Sequence, residues 1–319
     1  MNSSKSHTLY IVVPAYNEEE CIDDSANQLI AKLNELKSRN RASSDSKIII
    51  VNDGSSDRTA EKIHAIHEKH KEVTCINFSC NFGHQAAVLA GYNFSAGKCD
   101  CAISIDADLQ QDINAIDDFL DEYEKGNDVV YGVRNSRDTD GFMKKASSQM
   151  FYSLMSLFGT RTIRNHADYR LLSNKALLAL AEYKEGGIFL RGLIPTLGLK
   201  SSIVHFDVKD RQAGVSKYTL SKMLRLASDG ITSFSITPIH FIFSLGGIIL
   251  LLSMIVMIYT LVCWAFGRNI NGYTTIVLLI CFFGALQLIA IGVIGEYVGK
   301  NYIEAKKRPR YIIDSVEHE

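Results

Sequence analysis

From Tyr10 to Gly132, short apolar runs alternate with longer stretches whose apolar residues recur every three or four positions. Strands expose one face every second residue and helices one face every 3.6, so a change of period marks a change of element. Tyr10 to Pro14, Lys47 to Asn52, Val73 to Phe78, Cys101 to Asp106 and Asp128 to Gly132 read as strands. Glu19 to Leu36 places Ile22, Ala26, Leu29, Ile30, Leu33 and Leu36 at helical spacing; Asp57 to His67, His84 to Ser95 and Ile113 to Glu124 are three more predicted helices. Ser55 or Ser56 is placed to cap the helix from Asp57, and Asp112 the helix from Ile113. This alternation predicts an α/β domain with a mostly parallel sheet and helices on both faces. Such sheets bind ligands at the carboxyl ends of their strands. Polar residues gather there: Asn17, Asp53, Asn81, then Asp106 and Asp108, then Arg134.

The pattern changes at Ile236. Ile239 to Trp264 and Thr275 to Val298 are almost unbroken in apolar residues, interrupted chiefly by His240, Gln287 and Glu296. About 20 helical residues cross a hydrocarbon core, so both runs are long enough to span. The pair reads as a transmembrane hairpin closed by a short loop, Phe266 to Tyr273. Lys300, Lys306, Lys307, Arg308 and Arg310 follow it, and Lys209, Arg211, Lys217, Lys222 and Arg225 precede it. Positive flanks mark the cytoplasmic side, so the soluble part and the tail are expected there, on the inner or plasma membrane. Glu296 is expected near that face, snorkelling or paired with a lysine. Met1 to Thr8 lacks the apolar core of a signal peptide. Ser216 to Ile231 carries Leu220, Met223, Leu224, Ala227 and Ile231 at helical spacing between basic residues, which suits a helix on an anionic surface; Ser147 to Leu157 is a second candidate. The expected division is 1–210 for the α/β domain, 211–235 for a loop and interfacial helix, 236–299 for the spans and 300–319 for a basic tail.

Charge is balanced, with 34 basic and 35 acidic side chains, so nothing points to nucleic acid. The seven cysteines include no Cys-x-x-Cys pair and read as reduced structural thiols. No Gly-x-Gly-x-x-Gly follows the first strand and no Gly-Lys-Ser or Gly-Lys-Thr loop occurs, which disfavours dinucleotide and P-loop chemistry.

Asp106-Ala107-Asp108 closes the fourth predicted strand. Two carboxylates at that spacing can share a hard divalent cation, Mg²⁺ or Mn²⁺, with a diphosphate, and Gln110 adds a further candidate ligand. Alone the motif is common. Together with Val13-Pro14-Ala15-Tyr16-Asn17-Glu18 and Val51-Asn52-Asp53-Gly54-Ser55-Ser56-Asp57, it resembles the family 2 inverting glycosyltransferases of GT-A fold. Within that family the chain looks closest to polyprenyl-phosphate glycosyltransferases, which include bactoprenol glucosyltransferases and dolichol-phosphate mannose synthases. Asn81-Phe82-Gly83, Asp106-Ala107-Asp108-Leu109-Gln110, Ala167-Asp168-Tyr169-Arg170, Ile231-Thr232-Ser233-Phe234-Ser235 and Arg308-Pro309-Arg310-Tyr311 extend the resemblance over nearly the whole chain. Many relatives carry Asp-Pro after the motif glutamine; here Gln111-Asp112-Ile113 follows Gln110.

The resemblance implies that Pro14, Tyr16, Glu18 and Asp53 surround the nucleotide's base and ribose, and that Asp106, Asp108 and Gln110 hold the metal. It implies that Arg134 faces donor diphosphate or acceptor phosphate, and that Arg211, with Lys217, grips phosphate from a closing loop. Lys144 and Lys145, with Arg170, are expected at the acceptor phosphate. The implied partners are a nucleotide-sugar, UDP-glucose first with UDP-N-acetylglucosamine and GDP-mannose behind it, a polyprenyl phosphate such as undecaprenyl phosphate, and the membrane. Symmetric assembly through the spans, as a dimer or tetramer, is compatible with this. A phosphate monoester is largely ionised near neutral pH, its second pKa being about 6, so it needs no base to attack an anomeric carbon. Asp168, in the shared motif, is either a base or the residue that orients Arg170 and the basic acceptor residues, and the ionised acceptor favours orientation. A processive polysaccharide synthase would carry Gln-x-x-Arg-Trp, but the one tryptophan, Trp264, lies within a span. A non-catalytic membrane scaffold would not need the acidic motif.

Overall fold

The structure is a computed structural model that describes residues 6–135, 166–184, 189–207, 237–266 and 272–317. The described residues fall into two units. One is a sheet unit that takes in the segment from Arg308 onward; the other is helical and ends at Lys307.

In the sheet unit, β1 (Leu9–Ala15), β2 (Lys47–Asn52), β3 (Val73–Phe78) and β4 (Cys101–Ser104) alternate with α1 (Ile22–Ser38), α2 (Thr59–Lys69), α3 (His84–Ser95) and α4 (Ala115–Glu124), and β5 (Val129–Arg134) follows. β1, β2, β3 and β5 are near-continuous apolar runs because both of their faces are covered; in β1 all seven residues are buried. Then come β6 (His166–Ser173), α5 (Asn174–Ala181), α6 (Leu190–Thr196), β7 (Ser201–Phe206) and, at the far end of the chain, β8 (Ile313–Glu317).

The eight-stranded order is β7-β5-β6-β4-β1-β2-β3-β8. β3, β2, β1 and β4 form a parallel block. β6 enters antiparallel between β4 and β5, β7 runs parallel to β5, and β8 is antiparallel to β3. The sheet is thus mixed. Because β6 is reversed, β5 keeps the direction of the parallel block, and the carboxyl ends of β1 to β5 share one edge with the amino end of β6.

Two close approaches and one left-handed residue shape the sheet and its loops. Gly91 of α3 sits where a Cβ would lie 2.2 Å from Val12 Cγ1, so helix and strand meet with no side chain between them. Gly54 has φ +63°, and a Cβ there would fall 2.3 Å from the Cys80 carbonyl carbon. Leu109, at φ 45°, is a left-handed non-glycine residue of the kind that costs about 1–2 kcal/mol. Its buried side chain holds it there, and its amide closes the turn on the Asp106 carbonyl at 3.1 Å.

The expected serine cap on α2 is corrected. The helix begins at Thr59 and Asp57 Oδ1 accepts from the Thr59 amide at 3.0 Å, while Ser55 Oγ accepts from Asn17 N at 3.1 Å. The serines join the β1 and β2 loops instead. Asp112 accepts from Asn114 N at 3.0 Å one turn ahead of α4, but the helix begins at Ala115 rather than Ile113 and Asn114, not Asp112, stands at its N-cap.

The C-terminal segment, which reads as a basic tail in the sequence, carries β8 on the sheet edge. Tyr311 stacks on Phe78 with ring centroids 5.1 Å apart and accepts from Asn93 Nδ2 at 2.9 Å. Arg310 donates to the Tyr183 carbonyl, and His64 Nδ1 meets Glu317 Oε2 at 2.8 Å.

The helical unit contains α7 (Thr237–Ala265) and α8 (Tyr273–Ala305), of 29 and 33 residues. Phe282–Ala305 is long and apolar enough to cross a membrane; in α7 the comparable run is the shorter Phe241–Val256. Large apolar side chains such as Phe243, Leu251, Phe282 and Leu288 are exposed. Glu296 pairs with Lys300 one turn on, at 3.8 Å.

Candidate functional site

Pro14 is buried in β1, and Tyr16 and Glu18 follow it on the open edge, Tyr16 45% exposed and Glu18 half-buried. Asn17, at φ 54°, accepts from the Ser56 amide at 2.9 Å, and Glu18 N donates to Thr59 Oγ1 at 2.9 Å. These bonds fasten the β1 loop to the β2 loop. Burial raises the Glu18 carboxyl above its usual range; the Cys21 hydrogen bond opposes this, and Asp108 and Asp106 add to it. Cys21, half-buried and donating to Glu18 Oε2 at 3.1 Å, is pushed up to about 12 by burial and the Glu18 carboxylate and is therefore an inert thiol.

Asp53 is placed differently from the expectation that it lines the base and ribose. It is 2% exposed, and its two oxygens accept the Phe82 and Gly83 amides at 2.7 and 2.9 Å. Burial raises its pKa against those two bonds. Its evident work is to pin the loop that starts α3, and so to set His84.

Asp106 and Asp108 follow β4 as predicted. Asp106 accepts from Gln111 and faces His84 Nε2 at 3.5 Å; burial raises its pKa and His84 opposes the rise. Asp108 is exposed and accepts from Gln110 Nε2 at 2.7 Å. Among the described residues no group of three or more His, Cys, Asp and Glu forms a self-contained metal cage. An acidic pair with one half-buried and one exposed carboxylate fits a hard cation that takes the rest of its shell from phosphate and water, as Mg²⁺ commonly does.

Asp168 and Arg170 lie two apart on β6 and so share one face of the strand. Asp168 Oδ1 accepts from Arg170 Nη2, whose side chain is fully buried. Arg191, at the start of α6, grips both Asp168 oxygens, Nε at 3.2 Å and Nη2 at 2.9 Å. Gln85 donates to Asp168 Oδ2 at 3.2 Å, and His84 Nε2 lies 3.7 Å from it. Burial would raise the Asp168 pKa, but Arg170 and Arg191 outweigh it and hold the carboxyl well below the usual carboxylate range.

Arg134 is exposed at the end of β5. Arg170 is a correction. It was expected at the acceptor phosphate, but at 0% exposure it is walled off from the open edge and acts as counter-ion to Asp168. Lys144, Lys145, Arg211 and Lys217, the two interfacial helix candidates and Arg268 lie outside the described residues. Four residues that sequence reasoning passed over stand at the site: His84, Gln85, Gln111 and Arg191. His84 immediately follows the Asn81-Phe82-Gly83 segment, which was the available signal for it.

The model of "Glycosyl transferase family 2" matches residues 10–178. Glycosyltransferase YkoT of Bacillus subtilis is 45% identical over 306 residues, 96% of this chain and 91% of that protein. Bactoprenol glucosyl transferase of Shigella phage SfV is 35% identical over 308 residues, 95% of this chain and 97% of that protein. Glucosyl-3-phosphoglycerate synthase from Mycobacterium tuberculosis is a looser structural likeness, with 14% identity, 72% and 80% coverage of the two chains and a TM-score of 0.45. The chain belongs to glycosyl transferase family 2. Its mixed α/β domain is the GT-A fold of that family, and the protein is a transferase.

Proposed function

We propose that this protein moves a hexose, first of all glucose from UDP-glucose, onto undecaprenyl or another polyprenyl phosphate with inversion at the anomeric carbon, and that the lipid-linked sugar serves cell-surface glycan modification. The observation that carries the reading is the near full-length likeness to bactoprenol glucosyl transferases. The acidic pair on the shared strand edge supports it independently.

Asp106 and Asp108, with Gln110, hold Mg²⁺ or Mn²⁺, which supplies positive charge to the departing diphosphate. Pro14, Tyr16 and Glu18 frame the nucleotide, and Asp53 keeps the neighbouring loop in register. Arg134 faces phosphate, and Arg211 with Lys217 closes over the donor; Lys144 and Lys145 approach the lipid. The acceptor arrives ionised, so the chain's task is to hold two anions in line and stabilise the leaving group. Asp168 fits an orienting part. A carboxylate bound by two arginines and pushed below its usual pKa is a poor proton acceptor.

α7 and α8 form a hairpin in the membrane, with the catalytic part and C-terminus cytoplasmic. Their exposed apolar side chains and the basic residues after the second helix support this. The chain assembles symmetrically through these helices as a dimer or tetramer. The test is to incubate the full-length protein with undecaprenyl phosphate and, in turn, UDP-glucose, UDP-N-acetylglucosamine and GDP-mannose, with and without EDTA. Lipid-phosphate glucose should appear and vanish with EDTA. Consumption of GDP-mannose alone would overturn the donor assignment, and no lipid product from any donor would overturn the function.

A further inference from the structure

The segment that follows the second apolar helix does more than cover a strand edge. It belongs to the sheet unit, and two paths of contact run from it to the loops of the open edge. In the first, Tyr311 stacks on Phe78 with ring planes 9° apart, and Phe78 meets the Phe82 ring edge-on at 5.7 Å. Phe82 and Gly83 donate their amides to Asp53. Asn93 Nδ2 of α3 donates to the Tyr311 hydroxyl, and Ser79 N donates to the Ile312 carbonyl at 3.1 Å. The loop from Ser79 to Gly83 is therefore held on its β3 side by two consecutive C-terminal residues and on its far side by Asp53.

The second path is a row of amide side chains. Asn77 Nδ2 donates to Ser315 Oγ at 3.1 Å, Asn52 Nδ2 donates to Asn77 Oδ1 at 3.0 Å, and Ser55 N donates to Asn52 Oδ1 at 3.1 Å. Ser55 Oγ in turn accepts the amide of Asn17, which stands between Tyr16 and Glu18. Asn52 is 4% exposed, so removing its Asn77 partner leaves a buried amide nitrogen unpaired, which is costly. Both paths end on the β1, β2 and β3 loops, the side of the edge that frames the nucleotide. A misplacement of about 1 Å in such a frame can cost about a hundredfold in rate.

We infer that Tyr311 and Asn77 are positioning residues for the donor nucleotide, so that the C-terminal segment supports the donor loops. This rests on the proposed nucleotide-sugar reaction and gives the donor end of that site a support from the far end of the chain. The test compares wild type, Tyr311→Ala, Tyr311→Phe and Asn77→Ala as full-length protein in detergent micelles. Titration calorimetry reads the Kd for UDP and for GDP, and steady-state transfer reads the KM for UDP-glucose and for undecaprenyl phosphate. A lost aromatic stack corresponds to about a tenfold change in an equilibrium constant. Tyr311→Ala should weaken the nucleoside diphosphate that wild type binds about tenfold, and Asn77→Ala about as much. The donor KM should rise with the Kd while the acceptor KM stays, and Tyr311→Phe, which keeps the stack, should recover most of the affinity. The inference is overturned if either folded alanine variant binds the nucleotide as wild type does, even with a lowered melting temperature. It is also overturned if the acceptor KM rises as much as the donor's, if Tyr311→Phe loses as much as Tyr311→Ala, or if wild type binds neither nucleotide. Should Tyr311→Ala fail to fold, Asn77→Ala decides. A wild type that binds UDP but transfers no sugar to a polyprenyl phosphate sinks the functional reading, while the binding contrast still decides Tyr311 and Asn77.

Discussion

Replacing Asp168 by asparagine isolates the energetics of the buried cluster. The side chain keeps its size and loses its charge, which strands the Arg170 guanidinium at 0% exposure without its counter-ion. Breaking a buried pair on one side costs about 3–5 kcal/mol. Arg191, partly in water, contributes little to the loss, as exposed pairs are worth about 0–1 kcal/mol. Against a domain stability of about 5–15 kcal/mol, the change removes roughly a fifth or more. The pH dependence has a definite sign. The folded carboxyl is held below its ordinary range, so its contribution is complete above the unfolded value of about 4 and drains away as pH falls below that. Urea unfolding followed by far-ultraviolet circular dichroism, at pH 7 and at steps below pH 4, reads both effects. Asp168→Asn should unfold at clearly lower urea at pH 7 and show a shallower acid limb than wild type. Adding Arg170→Met should restore much of the midpoint, since a buried pair can be exchanged for apolar packing at little cost. A single variant within about 1 kcal/mol of wild type would refute the reasoning, because Arg170 would then have its charge balanced elsewhere.

Gly54→Ala should lower stability by about 2–5 kcal/mol, the left-handed backbone and the clash with the Cys80 and Asn81 backbone adding together; an unchanged melting temperature would contradict the close approach at 2.3 Å. A chain ending at Tyr311 loses β8 and bares the β3 edge, so light scattering should detect association beyond the assembly of the full chain; a truncated protein with the full chain's scattering and wild-type melting would contradict the strand's protective part.

Most of the parallel block was legible in the sequence because each strand is a mainly apolar run and each helix repeats at 3.6. β2 and β3 have the bounds expected from the sequence, and α3 does too. β6 was harder. His166 to Ser173 interleaves Asp168 and Arg170 with Ala167, Tyr169 and Leu171, and a buried ion pair looks polar until the two charges are seen to satisfy each other. β8 carries Asp314 and Glu317 in only five residues; its pairing comes from the open edge of β3, which no local pattern records. The acidic pair could be read from its motif and its place after a strand. Arg191 could not, because its meaning lies in a contact with a residue 23 positions earlier, and the enclosure of Arg170 depends on strands that flank β6 on both sides.

The central claim is that the acidic pair beyond β4 drives sugar transfer to a lipid phosphate. The measurement that reaches it most directly is the rate of labelled glucose transfer from UDP-glucose to undecaprenyl phosphate by wild type and by Asp106→Ala/Asp108→Ala, after circular dichroism confirms that both are folded. Removal of comparable charge-stabilising groups costs about a hundredfold to a thousandfold, so the double variant should fall at least that far and gain nothing from added Mn²⁺. A folded double variant that glycosylates the lipid at the wild-type rate would contradict the account.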